Sequence, residues 1–250
     1  MQLPIAGTLT IINIVEIRET TSAQDFKKMA LNAVIPALLV LLISAVFFFD
    51  KEFGLELSRF GLKPRDAKGF FGIFTMPFIH GSFEHLFNNM TALFVLTWCL
   101  FYFYHDLAIK ILLWTFLMSG IWVWVSARAN IHIGASAIVY GLVTFLFFSG
   151  IFRMYYRLIA VSMLITFLYG SLVWGILPLQ PSVSWEGHFW GSMAGLILAV
   201  VFRKKGPQKP VHEWEEETDD DTDDPQGLKA PENVNKTRPV VVRYTLKEKK

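Results

Sequence analysis

Apolar residues in this chain fall into long uninterrupted runs rather than into stripes or alternations. Six runs are long enough to cross a hydrocarbon core of roughly 30 Å as helices: 31–49, 85–104, 108–127, 134–149, 156–177 and 186–202. Charged or helix-breaking residues bound them at Asp50, His105-Asp106, Arg128, Arg153 to Arg157, Pro178 to Pro181 and Arg203 to Lys205. Lipid offers the backbone no hydrogen-bond partners, so helices are the expected spanning form, and continuous runs without alternation exclude a membrane barrel. The pattern predicts an all-α integral membrane protein, a bundle of six transmembrane helices. A further apolar stretch, Leu3–Val15, is too short to span and has no basic stretch before it. It is expected to be an interfacial or packed segment of an N-terminal region 1–30, not a signal peptide.

Composition sharpens this division. The chain has 250 residues, 53% of them hydrophobic and 15% aromatic, with mean hydropathy +0.42, which is too apolar for a soluble globule. Of its 44 Asp, Glu, Lys and Arg residues, 22 lie in residues 1–202 and 22 in the last 48. The expected organisation is therefore a membrane domain over 31–203 followed by a charged, disordered cytoplasmic tail over 204–250. Net charge of +2 gives no basic face for nucleic acid. The lone Cys99 precludes an internal disulfide or a multi-cysteine metal site.

Orientation follows from basic residues at the span ends. The side holding both termini collects nine (Arg18, Lys27, Lys28, Lys110, Arg153, Arg157, Arg203, Lys204, Lys205) against six on the other side. Both termini are expected inside.

Polar side chains within spans are costly and mark candidate sites. His85, Asn89, Ser136 and His188 each fall in the first turns of the second, fourth or sixth span. Even-numbered spans enter from one face, so these residues share one side of the membrane at similar depth. His85 and Asn89, at i and i+4, project from one helix face. Tyr140 stands one turn beyond Ser136 on the same face. Gly187, Gly191 and Gly195 form a small-residue ridge beside His188, and Ala137 with Gly141 a matching pair beside Ser136, so the two helices can approach closely.

A serine hydroxyl becomes a nucleophile when a neighbouring base takes its proton, and His188 is the candidate base and later acid. Asn89, His85 and the Ser136 backbone N–H could stabilise an oxyanion. Glu186, two residues from His188, faces elsewhere, which favours a catalytic pair over a triad. Residues 131–135 and 177–186 are the candidates for forming and capping a water-filled cavity. With two histidines at depth and no intramembrane carboxylate, no metal is expected, and no cofactor is implied. Ser149, Ser162, Ser171 and Ser192 are expected as packing residues, and Trp114, Trp122 and Trp124 as lipid-facing or belt aromatics. His132 and His212 carry no claim, and His80 is expected either to shape the site's entrance or, the favoured reading, to sit at headgroup level.

Three signatures together resemble the rhomboid family of intramembrane serine proteases: His80-Gly-Ser-Phe-Glu-His85-Leu-Phe-Asn-Asn89, Gly134-Ala-Ser136-Ala-Ile-Val-Tyr140-Gly-Leu142 and Gly187-His188-Phe-Trp-Gly191-Ser-Met-Ala-Gly195. The resemblance covers about residues 55–203. It implies a rhomboid-like six-helix bundle with Ser136 as nucleophile, His188 as base, His85 and Asn89 at oxyanion positions and Tyr140 packed against the base. It further implies an active site opening to the extracytoplasmic side, and single-span or multi-span membrane proteins in the bilayer as substrates. The absence of added spans and of a targeting segment suggests a bacterial cytoplasmic membrane. Two departures stand out. Ala137 replaces the usual glycine after the nucleophile, adding a methyl at the expected tightest contact, and Phe70-Phe71-Gly72 replaces the Trp-Arg pair of the first loop. The alternative functions are a rhomboid-like pseudoprotease that holds membrane clients without cutting, and a small transporter, for which the chain lacks an internal repeat and mid-membrane charges. The sequence leaves oligomeric state open.

Overall fold

A computed structural model describes the backbone of residues 6–179 and 183–209, with side chains from residue 23 onward. The tail from residue 210, His212 within it, residues 3–5 of the N-terminal apolar stretch and residues 180–182 of the expected capping loop lie outside the described residues. The protein is helical: α1 (Ala6–Phe53), a single turn α2 (Gly72–Thr75), α3 (Phe83–Phe103), α4 (His105–Ser126), α5 (Ser136–Arg153), α6 (Tyr156–Tyr169) and α7 (Trp185–Val201). Among the described residues, five segments are long and apolar enough to cross a membrane: Ala23–Phe53, Phe83–Phe103, His105–Ser126, Ser136–Arg153 and Tyr156–Ile176. The sixth, α7, has 17 residues, at the lower bound of roughly 17–25 for a span.

Two boundaries differ from the sequence reading. From residue 6 on, the N-terminal apolar stretch is helical and continuous with the first span, α1 running without a break from Ala6 to Phe53. Asp25, Lys27 and Lys28 sit inside it, since charged residues carry no bar to helix formation. The fifth span changes character near its end. After Tyr169 it tightens into a 3-10 segment, Gly170–Ile176, and stops before Pro178, where a ring nitrogen without hydrogen cannot continue the ladder.

In lipid, helix association depends on close packing and interhelical hydrogen bonds rather than on expulsion of water. The pair α5 and α7 accordingly packs most extensively. Gly191 lies against the Ala137 carbonyl and Gly195 against the Gly141 carbonyl, so the two small-residue ridges mesh backbone to backbone. Around them, Leu93, Leu96 and Leu100 of α3, Ile111 of α4, Leu142, Phe145 and Leu146 of α5 and Leu158 of α6 form the buried core. At one end Arg153 is buried, with its guanidinium donating to the Phe202 and Lys205 carbonyls at 2.7 and 2.9 Å. It thereby ties down the C-cap residue of α7, Phe202, and the turn that follows.

The long first loop is folded onto the opposite end. An isolated antiparallel bridge pairs Leu62 with His132, and Gly72 sits where any side chain would strike the Leu62 backbone. Phe70, in the region where the sequence departs from the family pattern, packs edge-on against Trp124 at 5.4 Å, while the Trp124 indole donates to the Asp66 carbonyl at 3.0 Å. Trp124, partly exposed near the end of α4, thus also anchors the first loop. Trp122 packs on Trp190 at 5.4 Å, and only Trp114 of the three is as exposed as expected.

Candidate active site

The three even-numbered spans α3, α5 and α7 start on the same face, each from a different local device. Ser82 caps α3 by accepting from the His85 backbone N–H at 3.2 Å. Helix α5 begins after Gly134, whose φ of +102° lets the chain turn sharply into Ser136. Helix α7 begins at Trp185, after Ser184.

These starts bring all five candidate residues to one cavity of about 1210 Å³, lined among others by His85, Asn89, Ser136, Tyr140 and His188. Ser136 Oγ lies 3.0 Å from His188 Nε2, a hydrogen-bonding distance between α5 and α7. The rings of Tyr140 and His188 stack at 4.0 Å with 5° between planes. Asn89 donates one amide hydrogen to the His85 carbonyl at 2.9 Å, which leaves the second free to turn toward the cavity. The imidazole of His85 lies over the backbone of Gly134, where a Cβ would come within 2.7 Å of it. The glycine thus lets His85 approach the start of α5. As the first residue of α5, Ser136 also presents a backbone N–H with no helical acceptor.

Ala137 does not open the contact. Its backbone, not its methyl, meets Gly191. The methyl is buried in a small cluster with Leu62, Ile73, Met76 and Val123, and it would be 3.8 Å from a Cβ on Gly187, an ordinary separation.

Several participants were not legible beforehand. Nδ1 of His188 lies 2.8 Å from the Gly175 carbonyl oxygen in the 3-10 segment. Glu186 is turned away from His188, as its helical position requires. It is buried and faces Arg128, with Nε to Oε1 at 3.1 Å and the Arg128 backbone N–H donating to the same oxygen at 3.3 Å. The guanidinium also donates to the Val183 carbonyl. His132, 2% exposed, places Nδ1 2.6 Å from Ser184 Oγ and Nε2 3.2 Å from the Arg128 carbonyl. Burial lowers its pKa. Together these contacts fasten the loop before Ser136 to the residues before His188. Parity of spans could have flagged Arg128 and Glu186, since opposite charges fall on the same membrane side.

His80 differs from the expectation of a headgroup-level residue. It is 2% exposed, 5.0 Å from the His85 ring, and neither ring nitrogen has a hydrogen-bond partner among the described residues. Burial first, then the neighbouring His85, brings its pKa down to about 4. Among the serines assigned to packing, Ser162 donates to carbonyls at 2.8 to 3.2 Å, Ser149 accepts from Arg153, and Ser171 lines the cavity.

The chain matches the family model described as Rhomboid domain over residues 67–205. An uncharacterized protein of Mycobacterium tuberculosis is 28% identical to it over 176 residues, 65% of this chain and 71% of that protein. A protein of Mycobacterium bovis, also described as uncharacterized, matches with the same figures. An uncharacterized protein of Mycobacterium leprae is 26% identical over 170 residues, 64% of this chain and 67% of that protein.

Proposed function

The chain belongs to the rhomboid family, and from that premise we propose that this multi-pass membrane protein is an active intramembrane serine protease. It hydrolyses peptide bonds in or near transmembrane segments of other membrane proteins. The observation that carries this reading is the 3.0 Å contact between Ser136 Oγ and His188 Nε2 at a cavity large enough for water and an extended peptide. Ser136 Oγ attacks the scissile carbonyl while His188 Nε2 takes its proton. The developing oxyanion is met by the Ser136 backbone N–H, the free amide hydrogen of Asn89 and the His85 ring. His188 then protonates the leaving amine, and a water deprotonated by the same nitrogen hydrolyses the acyl-enzyme. Tyr140 holds the base by stacking. The excess of basic residues on the side of the termini supports an orientation with both termini in the cytoplasm and the cavity facing outward.

The test is cleavage of a tagged single-span substrate with small residues near its outer end, in liposomes, by wild type, Ser136→Ala and His188→Ala. Cleavage by wild type alone, with fluorophosphonate labelling at Ser136, is the expected result. A wild-type protein that neither cleaves nor labels would overturn the reading in favour of a client-binding pseudoprotease.

A further inference from the structure

We propose that the main-chain carbonyl of Gly175 is the third member of the Ser136–His188 constellation. It fixes the tautomer and in-plane rotation of the base, and position 175 is glycine for that reason. The assignment rests on the protease reading above and names a positioning residue for it.

The chemistry of the two partners decides the tautomer. A carbonyl oxygen can only accept, so Nδ1 of His188, 2.8 Å from it, carries the hydrogen. A neutral imidazole has one such hydrogen, which leaves the lone pair on Nε2, and Nε2 is the nitrogen 3.0 Å from Ser136 Oγ. The stacked Tyr140 ring, with 5° between planes, restrains the tilt of the imidazole but not its rotation about the ring normal. The bond to Gly175 restrains that rotation. The nearest carboxylate in sequence, Glu186, is occupied by Arg128 and does not compete for the role.

The carbonyl is free because the residues downstream cannot claim it. In a 3-10 helix the Gly175 oxygen would accept from residue 178, and in an α-helix from residue 179. Residue 178 is proline and has no N–H, while the Leu179 N–H donates to Leu177 at 2.8 Å. Both helical claims on the oxygen are thereby removed at the point where it meets His188. The glycine is equally constrained: a Cβ there would lie 1.9 Å from Tyr140 Oη, 3.0 Å from its Cζ and 3.2 Å from His188 Nδ1. Any side chain would push the segment away from the stacked pair and break the bond.

The experiment combines kinetics with ¹⁵N NMR of histidine-labelled protein in micelles. Wild type should show His188 as the Nδ1–H tautomer. In Gly175→Ala the tautomers should mix and kcat should fall about 100-fold with KM within about threefold, the scale of a misplaced base. Adding Tyr140→Phe removes the oxygen that the new Cβ strikes, so the double variant should regain about tenfold over Gly175→Ala. Pro178→Ala, which restores a competing N–H donor without adding bulk at 175, should also mix the tautomers and lower kcat, which keeps the test decisive if Gly175→Ala does not fold. An unchanged His188 tautomer in folded Gly175→Ala or Pro178→Ala overturns the assignment, whether or not the protein cleaves. Loss of wild-type cleavage and labelling would instead refute the protease reading.

Discussion

Substituting Gly191 by alanine should disable the site without touching a residue that does chemistry. The added Cβ would lie 2.0 Å from the Ala137 carbonyl oxygen, and ordinary contact begins at 3.4 Å, so α5 and α7 must separate by up to 1.4 Å at that turn. The obstacle is backbone, which cannot rotate aside. Ser136 and His188 join the same two helices one turn away at 3.0 Å, and the separation would stretch their contact to roughly 4 Å, outside hydrogen-bond range. A displacement of about 1 Å at reacting groups costs on the order of 100-fold in rate. Overpacking a close contact costs about 1–3 kcal/mol of stability. The assay is the initial rate of cleavage of a tagged single-span substrate in liposomes, paired with the rate of fluorophosphonate labelling at Ser136, which needs no docked substrate. Ile197→Ala, on the exposed face of the same helix, serves as control and should retain wild-type rates. A folded Gly191→Ala protein that cleaves and labels within threefold of wild type would refute the argument that this glycine sets the catalytic distance.

Removing the Arg128 side chain should destabilise the protein by about 2–3 kcal/mol, below the ~3–5 of a fully buried pair because Arg128 is one-third exposed, as read by unfolding in mixed micelles. Glu186→Gln, which keeps an acceptor for the Arg128 backbone N–H, should lose about half as much. Ala137→Gly should lower stability by about 1 kcal/mol, since it removes a buried methyl and loosens a helix, while leaving the cleavage rate within threefold of wild type. His80 has its pKa brought down to about 4 in the folded protein, against about 6.5 unfolded, so between those values only the unfolded chain takes up the proton. Its contribution is intact above pH 6.5 and is lost as pH falls to 4, by roughly 3 kcal/mol at most, and a His80→Asn variant should show a correspondingly flatter stability profile over that window.

The order of the helices and the common face from which the even-numbered ones start were legible because each depends on local properties: the length of an apolar run, the charges that end it and the parity of crossings. Parity alone placed His85, Asn89, Ser136 and His188 on one face, and helical spacing put Tyr140 on the face of Ser136. The glycine ridges likewise announced a close approach of α5 and α7, because a missing side chain is visible in sequence. What was misread turned on direction rather than identity. The Ala137 methyl points into the Leu62 cluster instead of into Gly191, and His80 is buried where a headgroup position was expected.

Sequence therefore determined the helical membrane bundle and the residues able to do chemistry, since hydrophobic run length and side-chain type are written in the chain. Tertiary structure alone decided that Ser136 and His188 stand 3.0 Å apart, that Arg128 meets Glu186 across 58 residues, and that the Gly175 carbonyl lies 2.8 Å from His188 Nδ1. Interhelical distances follow from how surfaces mesh, and a carbonyl oxygen is the same at every residue, so neither leaves a mark that can be read before the chain is folded.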